Sequence, residues 1–233
     1  MIDSHCHLEQ CPKGSFERAC EHGIEVISVG TSPSGWRAQE AFRGRAHLAF
    51  GLHPWQAGSL EALPDHLRGA VAVGEIGLDR HRGQPHQEQA LRDQLDLARQ
   101  LDLPVILHLV KSDGRALELF QQDGLPKAGG VVHSFSSSPE IVVDYLKLGL
   151  YIGFAGNLLR HDKAARAARE VPLERLLVET DAPSQLAEPA QVGRVVERLA
   201  ELFGLSLTEI AEKTDQNARR LFRLKAPACS DAN

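Results

Sequence analysis

Eight short apolar runs recur along the 233-residue chain, separated by longer stretches with helical periodicity. The runs read MIDSHCHL, IEVISVGT, HLAFGLHP, AVAVGEIGLD, PVILHL, GGVVHSF, LYIGFAG and RLLVETDAP. Repeated strand-helix units predict an α/β fold with a parallel sheet, and eight such units with continuously apolar strands favour closure into a (β/α)8 TIM barrel. An open doubly wound sheet is the alternative that this pattern leaves.

Helical patterns lie between the runs and also follow the last of them. The clearest patterns cover residues 87–101, 139–148 and 162–170, and two extra C-terminal helices are predicted at 190–203 and 207–222, the latter capped by Ser206 or Thr208. A barrel commonly spans ~250 residues as one domain, and no linker-like composition interrupts the chain. We therefore expect a single domain over residues 1–224 and a disordered tail at 225–233.

Charge and composition exclude some classes of protein. A net charge of −5 argues against a broad basic surface for duplex DNA, although a local cationic pocket is compatible with it. No signal peptide and no apolar run of ~18 residues is evident, so we expect a cytoplasmic enzyme without a membrane or an obligate protein partner. The cysteines, which are Cys6, Cys11, Cys20 and Cys229, have neither zinc-finger nor disulfide-scaffold spacing, which favours reduced thiols.

Histidines and carboxylates cluster at the ends of six of the eight predicted strands. They are His5 and His7, His53, Glu75 and Asp79, His108, His133, and Glu179 and Asp181. Strand alternation places His5 and His7 on one face and Cys6 on the other. Barrel enzymes carry their chemistry at the carboxyl ends of the strands, so these side chains are expected to meet at one mouth. Burying them without partners is costly, and a metal site satisfies them together.

The donor types indicate which metals to expect. Imidazoles and carboxylates without thiolates suit zinc, manganese, nickel or magnesium. A four-coordinate catalytic ion usually takes three protein ligands, and more are available here. We therefore predict two divalent ions that share Glu75, with His5, His7 and Asp181 on one ion and the fifth-strand and sixth-strand histidines on the other. In this hypothesis a metal-activated water is the nucleophile, and Asp181 handles its proton.

Six motifs in order along the chain resemble the TatD family of metal-dependent deoxyribonucleases, within the amidohydrolase-type metallohydrolases. They are DSHCHL, GLHP, GEIGLD, HSFS, ETDAP and NARRLF, and the resemblance covers residues 2–222. It implies first-metal ligands at His5, His7, Glu75 and Asp181, and second-metal ligands at Glu75, His108 and His133. It also implies that His53 lies near the substrate and that no carbamylated lysine is needed. The implied activity is hydrolysis of phosphodiester bonds in DNA ends or single strands.

Departures from the family pattern bear on substrate choice. After the fifth-strand histidine this chain reads HLVKSDGRAL, which leaves Lys111 as the expected cation. HSFSS replaces a glycine-containing motif, and Ala187 stands in a short loop where an asparagine is common. We predict Lys111, His53 and Asp79 as substrate contacts. Further candidates for holding phosphate oxygens are Arg80, His81 and Arg160.

Several of these residues have a second interpretation. Asp79 suits either a turn cap or a contact with a ligand histidine, and Glu179 either pairs with a histidine or takes part directly. Trp55, beside GLHP, suits either base stacking or packing.

Two other functions are compatible with the same metal set. An amidohydrolase could act on a small amide, ester or lactone, because a metal pair polarises a carbonyl as readily as a phosphoryl group. The acidic net charge slightly favours this alternative. The third possibility is a metal-binding scaffold without catalysis.

Overall fold

A computed structural model describes residues 1–56 and 58–225 and contains one eight-stranded parallel sheet in the order β1 to β8. The strands are β1 (Ile2–Cys6), β2 (Glu25–Gly30), β3 (His47–Phe50), β4 (Ala72–Asp79), β5 (Val105–Val110), β6 (Gly130–Val132), β7 (Tyr151–Phe154) and β8 (Leu176–Val178). The segment after β8 returns to β1: the amide of Asp181 donates to the carbonyl of His5 (2.9 Å), and the amide of His7 to the carbonyl of Ala182 (2.7 Å). The sheet therefore closes into the predicted barrel, and an open sheet is excluded.

Helices follow most strands and form the outer layer. They are α1 (Ser15–Glu21), α2 (Pro33–Gln39), α3 (Leu63–His66), α4 (Gln87–Leu101), α5 (Asp113–Asp123), α6 (Pro139–Lys147), α7 (Asp162–Arg169), α8 (Gly193–Phe203) and α9 (Leu207–Phe222). The expected helix at 190–203 begins later, because a 3₁₀ turn at Pro189–Gln191 precedes α8. Of the two expected caps for α9, Ser206 is the one used, in a capping box with Glu209.

The last helix, α9, covers the amino-terminal end of the barrel. Asp215 Oδ1 accepts a hydrogen bond from the amide of Ile2 at 2.7 Å. The buried side chain of Asn217 donates from Nδ2 to the backbone carbonyls of Leu173 and Leu176, at 2.6 and 2.9 Å. These contacts give the NARRLF motif a structural role at the end of the barrel opposite to the predicted site.

Two irregularities in strand pairing lie at predicted metal ligands. In β1 the register shifts between Asp3 and Cys6, and in β4 it shifts between Gly74 and Ile76. An extra residue in one strand of a pair redirects the side chains that follow it. As a result, Ile2 packs in the barrel interior whereas Cys6 belongs to the core between strands and helices.

Three further expectations concern the cysteines, the carboxyl-terminal tail and membrane-spanning helices. Cys6, Cys11 and Cys20 are free thiols, while Cys229 lies outside the described residues. The expected tail falls almost wholly on residues 226–233, also outside them. Within residues 1–56 and 58–225, no helix combines the length and apolar character needed to cross a bilayer.

Candidate metal centre

Glu75 lies at the centre of the predicted site, and its two carboxylate oxygens face different sets of histidines. Oε2 lies 3.4 Å from His5 Nε2 and 3.7 Å from His7 Nε2. Oε1 lies 3.1 Å from His53 Nε2, 2.6 Å from His108 Nδ1 and 2.7 Å from His133 Nε2. The irregularity in β4 falls at Glu75, which brings this carboxylate to the barrel mouth.

Asp181 joins the set on the Oε2 side of Glu75. Its Oδ1 lies 3.6 Å from His7 Nε2, and its Oδ2 accepts a hydrogen bond from Gln185 Nε2 at 2.9 Å. Gln185 is held in turn, because its Oε1 accepts the amide of Asn157 at 2.6 Å. His7 Nδ1 lies 2.8 Å from the carbonyl of Val29, which fixes the ring with Nε2 toward Glu75. One oxygen of Asp181 is therefore held by the protein, while the other faces His7.

Glu179 lies near Nδ1 of His133, the ring nitrogen opposite to the one that faces Glu75. Its Oε1 lies 3.6 Å from His133 Nδ1 and accepts the amide of Ser134 at 2.5 Å. Glycine at position 153 makes this possible, because a Cβ there would lie 2.6 Å from Glu179 Oε2. Of the two interpretations of Glu179, pairing with a neighbouring histidine matches the observed contact.

Asp79 combines both of its expected interpretations. Oδ1 accepts the amides of His81 and Arg82, as a turn cap does. Oδ2 lies 3.4 Å from His108 Nε2 and accepts the indole N–H of Trp55 at 2.6 Å. Since protein donors occupy both oxygens, Asp79 orients its neighbours, and its contact with substrate stays a prediction.

The spacing of the donors fits divalent metal binding. Two ligands about 2.1 Å from one zinc ion at the tetrahedral angle are about 3.4 Å apart. His5 Nε2 and His7 Nε2 are 3.3 Å apart, and His108 Nδ1 and His133 Nε2 are also 3.3 Å apart. Three groups of three residues bring their ligand atoms within 4.8 Å of one another: His5, His7 and Glu75; His5, His133 and Glu179; and His53, Glu75 and His108. The structure thus adds His53 to the possible ligands.

The protonation states show how strongly these groups depend on one another. Burial by itself would raise the pKa of Glu75, but the surrounding histidines, His133 foremost, hold that pKa well below its usual value. Burial lowers the pKa of His7, yet the nearby carboxylates of Asp181 and Glu75 outweigh it and raise that pKa to about 9. The fully buried His5 has a lowered pKa, because of burial and the nearby His133. Ionised carboxylates at this mouth therefore require positive charge close by, from protons or from divalent cations.

The centre opens into a cavity of about 190 Å³, the metal-site cavity. Its lining includes His7, His53, Trp55, Glu75, His108, His133 and Asp181. Trp55 is 37 % exposed, and the Arg82 guanidinium lies 3.9 Å from the centre of its ring. Arg82 is a cation that the sequence analysis did not single out.

Lys111 and Arg80 lie apart from this cavity. Together with Arg115 and Glu88 they line a separate groove of about 400 Å³ at the ends of β4 and β5, the β4–β5 groove. The contact of Lys111 with substrate stays a prediction. A cavity of about 540 Å³ lies at the amino-terminal end of the barrel, and none of the described residues that line it is a histidine or a carboxylate.

The chain is similar to known proteins over most of its length. The profile of a family described as TatD related DNase matches residues 2–223. The Bacillus subtilis protein named uncharacterized metal-dependent hydrolase YabD is 31 % identical over 254 residues, covering 96 % of this chain and 99 % of that protein. The Citrobacter rodentium protein named 3′-5′ ssDNA/RNA exonuclease TatD is 34 % identical over 242 residues, covering 88 % of this chain and 89 % of that protein.

A solved structure extends this agreement to the fold. The crystal structure of YjjV, a TatD homologue from Escherichia coli K12, superposes with a TM-score of 0.85 at 32 % identity, covering 97 % of this chain and 98 % of that one. Sequence and fold therefore match relatives of the same family, over 88 % or more of this chain.

Proposed function

This chain belongs to the TatD-related DNase family of metal-dependent hydrolases, and from that premise we propose that it cleaves phosphodiester bonds of DNA ends or single strands with two divalent ions. Relatives named deoxyribonuclease or 3′-5′ ssDNA/RNA exonuclease support this substrate class. We propose in addition that residues 1–224 act as one hydrolase domain, since β1, β4 and β5 and the segments after β6 and β8 all contribute to the site.

The observation that carries the proposal is the division of Glu75 between two donor sets. We assign His5, His7, Glu75 and Asp181 to one ion, and Glu75, His108 and His133 to the other. The separations of 3.4 and 3.7 Å from Oε2 to His5 and His7, and of 3.3 Å between His108 Nδ1 and His133 Nε2, support this assignment. When bound, divalent ions of this kind lower the pKa of water and offset negative charge on phosphoryl oxygens.

The chain's own residues then have separate tasks. Asp181 accepts the proton of the attacking water at Oδ1, because Gln185 occupies Oδ2. His53 lines the metal-site cavity and contacts the substrate there. Lys111 lies in the β4–β5 groove, where it can meet a phosphate farther along a strand. Asp79 and Glu179 keep His108 and His133 oriented.

The test compares two substrate classes on one preparation. Metal-stripped protein is reloaded with Mg²⁺, Mn²⁺, Zn²⁺ or Ni²⁺ and incubated with a labelled single-stranded oligonucleotide and with a panel of small esters, amides and lactones. We expect metal-dependent cleavage of the oligonucleotide. Turnover confined to the small substrates would instead support the amidohydrolase, and turnover of neither would support the scaffold.

Asp181→Asn is the variant that tests the mechanism. Loss of a general base costs about 10²–10⁴ in rate, so we expect at least a hundredfold lower kcat with the fold retained. The matched control is Asp65→Asn, an exposed substitution in α3. Wild-type metal-dependent turnover by Asp181→Asn would contradict the assigned role.

A further inference from the structure

A second concave surface adjoins the metal centre on the opposite side of the barrel from Lys111. It has a volume of about 290 Å³ and lies between the segment that follows β7 and the segment that follows β8. Leu159 and Arg160 line it from the first segment, and Gln185, Leu186, Gln191 and Arg194 from the second. We call it the β7–β8 groove.

The charge of this groove is positive and uncompensated. Among the described residues that line it, Arg160 and Arg194 are the charged ones, and none is a carboxylate. Within the described part of the chain, neither arginine has a carboxylate oxygen within 4.0 Å, whereas arginines elsewhere, such as Arg18 and Arg99, form ion pairs. Glu188, the acid of the adjoining loop, pairs with Arg18 and so does not neutralise the groove.

Gln185 connects the groove to the reaction centre. Its side chain lines the groove, and its Nε2 donates to Asp181 Oδ2 at 2.9 Å. Ser184, the preceding residue, lines the metal-site cavity. A group bound in the groove therefore lies one side chain away from the residue that we assign to the proton of the attacking water.

We propose that the β7–β8 groove binds the phosphate of the nucleotide next to the scissile bond. Arginine guanidinium groups bind phosphate oxygens in a bidentate manner. This inference rests on the proposed function and deepens it, because it makes a polynucleotide strand a better substrate than a small ester. The β4–β5 groove fits this role less well, since Glu88 lines it and pairs with Arg115 there.

The test uses the metal-loaded full chain and the double variant Arg160→Ala/Arg194→Ala. With the single-stranded oligonucleotide dT12 we expect KM to rise roughly tenfold. The slope of log(1/KM) against log[salt] is negative, and we expect it to become less negative by about 0.7, the value for one phosphate contact on a single strand. With bis(p-nitrophenyl) phosphate, which has no neighbouring phosphate, the loss of kcat/KM should be at least tenfold smaller.

The matched control is Arg166→Ala/Arg169→Ala, which removes two exposed arginines from α7. A dT12 with one neutral methylphosphonate next to the scissile linkage supplies the reciprocal test. On this substrate the KM of wild type should rise as much as the KM of the double variant rises on native dT12. The KM of the double variant should not rise further. The oligonucleotide rU12 should show the same loss, because a phosphate contact does not distinguish the sugars. Equal KM for the double variant and the α7 control would overturn the inference.

Binding separates this inference from the proposed function. A phosphorothioate dT12, which resists cleavage, is titrated with the metal-loaded protein and followed by fluorescence anisotropy. If native dT12 is not cleaved but binding weakens roughly tenfold in Arg160→Ala/Arg194→Ala, the proposed function is wrong, whereas phosphate binding by the β7–β8 groove is supported. If binding is unchanged in that variant, the groove is excluded whether or not dT12 is cleaved.

Discussion

Gln185 controls which oxygen of Asp181 is available for chemistry. Its amide donates to Asp181 Oδ2, and its own carbonyl is fixed by the amide of Asn157. Gln185→Leu removes both contacts, and a third with Ser134 Oγ, at nearly constant volume. Loss of an orienting partner typically costs 10–100-fold in activity or metal affinity, so we expect kcat for bis(p-nitrophenyl) phosphate to fall at least tenfold.

The control for this prediction lies far from the site. Gln121 is an exposed glutamine of α5. Gln121→Leu should therefore keep kcat within about twofold of wild type, as expected for a substitution away from the site. A Gln185→Leu protein with the kcat of wild type would show that Asp181 is held adequately by its backbone.

The predicted metal ligands share a local signal, because each stands at the end of an apolar strand, whereas Gln185, which holds Asp181, has no such signal. His5 and His7 are two positions apart, so strand alternation alone places them on one face. Gln185 contacts Ser134 across 51 positions, which no local pattern encodes. Lys111 directly follows β5, but its φ of 50° departs from strand geometry, and the residue lines the β4–β5 groove.

At the scale of elements, the apolar runs predict all eight strands but not the irregular pairing within two of them. Strict alternation would place Ile2 and Cys6 on the same face of β1, yet they pack in different cores. The irregularity depends on how β1 pairs with β2, which is a property of two segments rather than one. The sequence therefore predicts which strands carry the site, and the pairing sets how the side chains reach it.

One ion-pair cluster joins two short elements and predicts a pH dependence. Glu40, in the 3₁₀ turn Glu40–Phe42, pairs with Arg43 and with His66 at the end of α3. The hydrogen bond from Arg43 is the main cause that lowers the pKa of Glu40 to about 2. A carboxyl group with a lowered folded-state pKa stabilises the fold above its unfolded pKa, about 4.3. That contribution is lost as the pH falls from there toward 2.

Glu40→Gln tests this element-scale coupling. The Glu40 side chain is 35 % exposed, so solvent screening limits its contribution to below about 1 kcal/mol. We expect urea denaturation at pH 6 to give a smaller free energy of unfolding for Glu40→Gln than for wild type. The difference should shrink as the pH is lowered toward 2. Glu61→Gln, an exposed control, should show no such trend, and a difference independent of pH would contradict the ionic origin.

The whole molecule is needed to assemble the metal centre. Its donors come from β1, β4 and β5 and from the segments after β6 and β8. The separations along the chain are large, as between His5 and Asp181, so an unfolded chain does not present these donors together. Metal binding therefore favours the folded state, and the gain is about 2.7 kcal/mol when the free ion is at 100 times its Kd.

This linkage predicts a thermal shift. For a chain of this size, a gain of 2.7 kcal/mol corresponds to a Tm increase of roughly 5–10 °C, measured by calorimetry on metal-stripped protein with and without added Mn²⁺ or Zn²⁺. Glu75 faces both donor sets, so Glu75→Gln should remove most of the shift. Glu212→Gln, on the exposed face of α9, should retain it in full. An unchanged shift in Glu75→Gln would place the ions outside the centre described here.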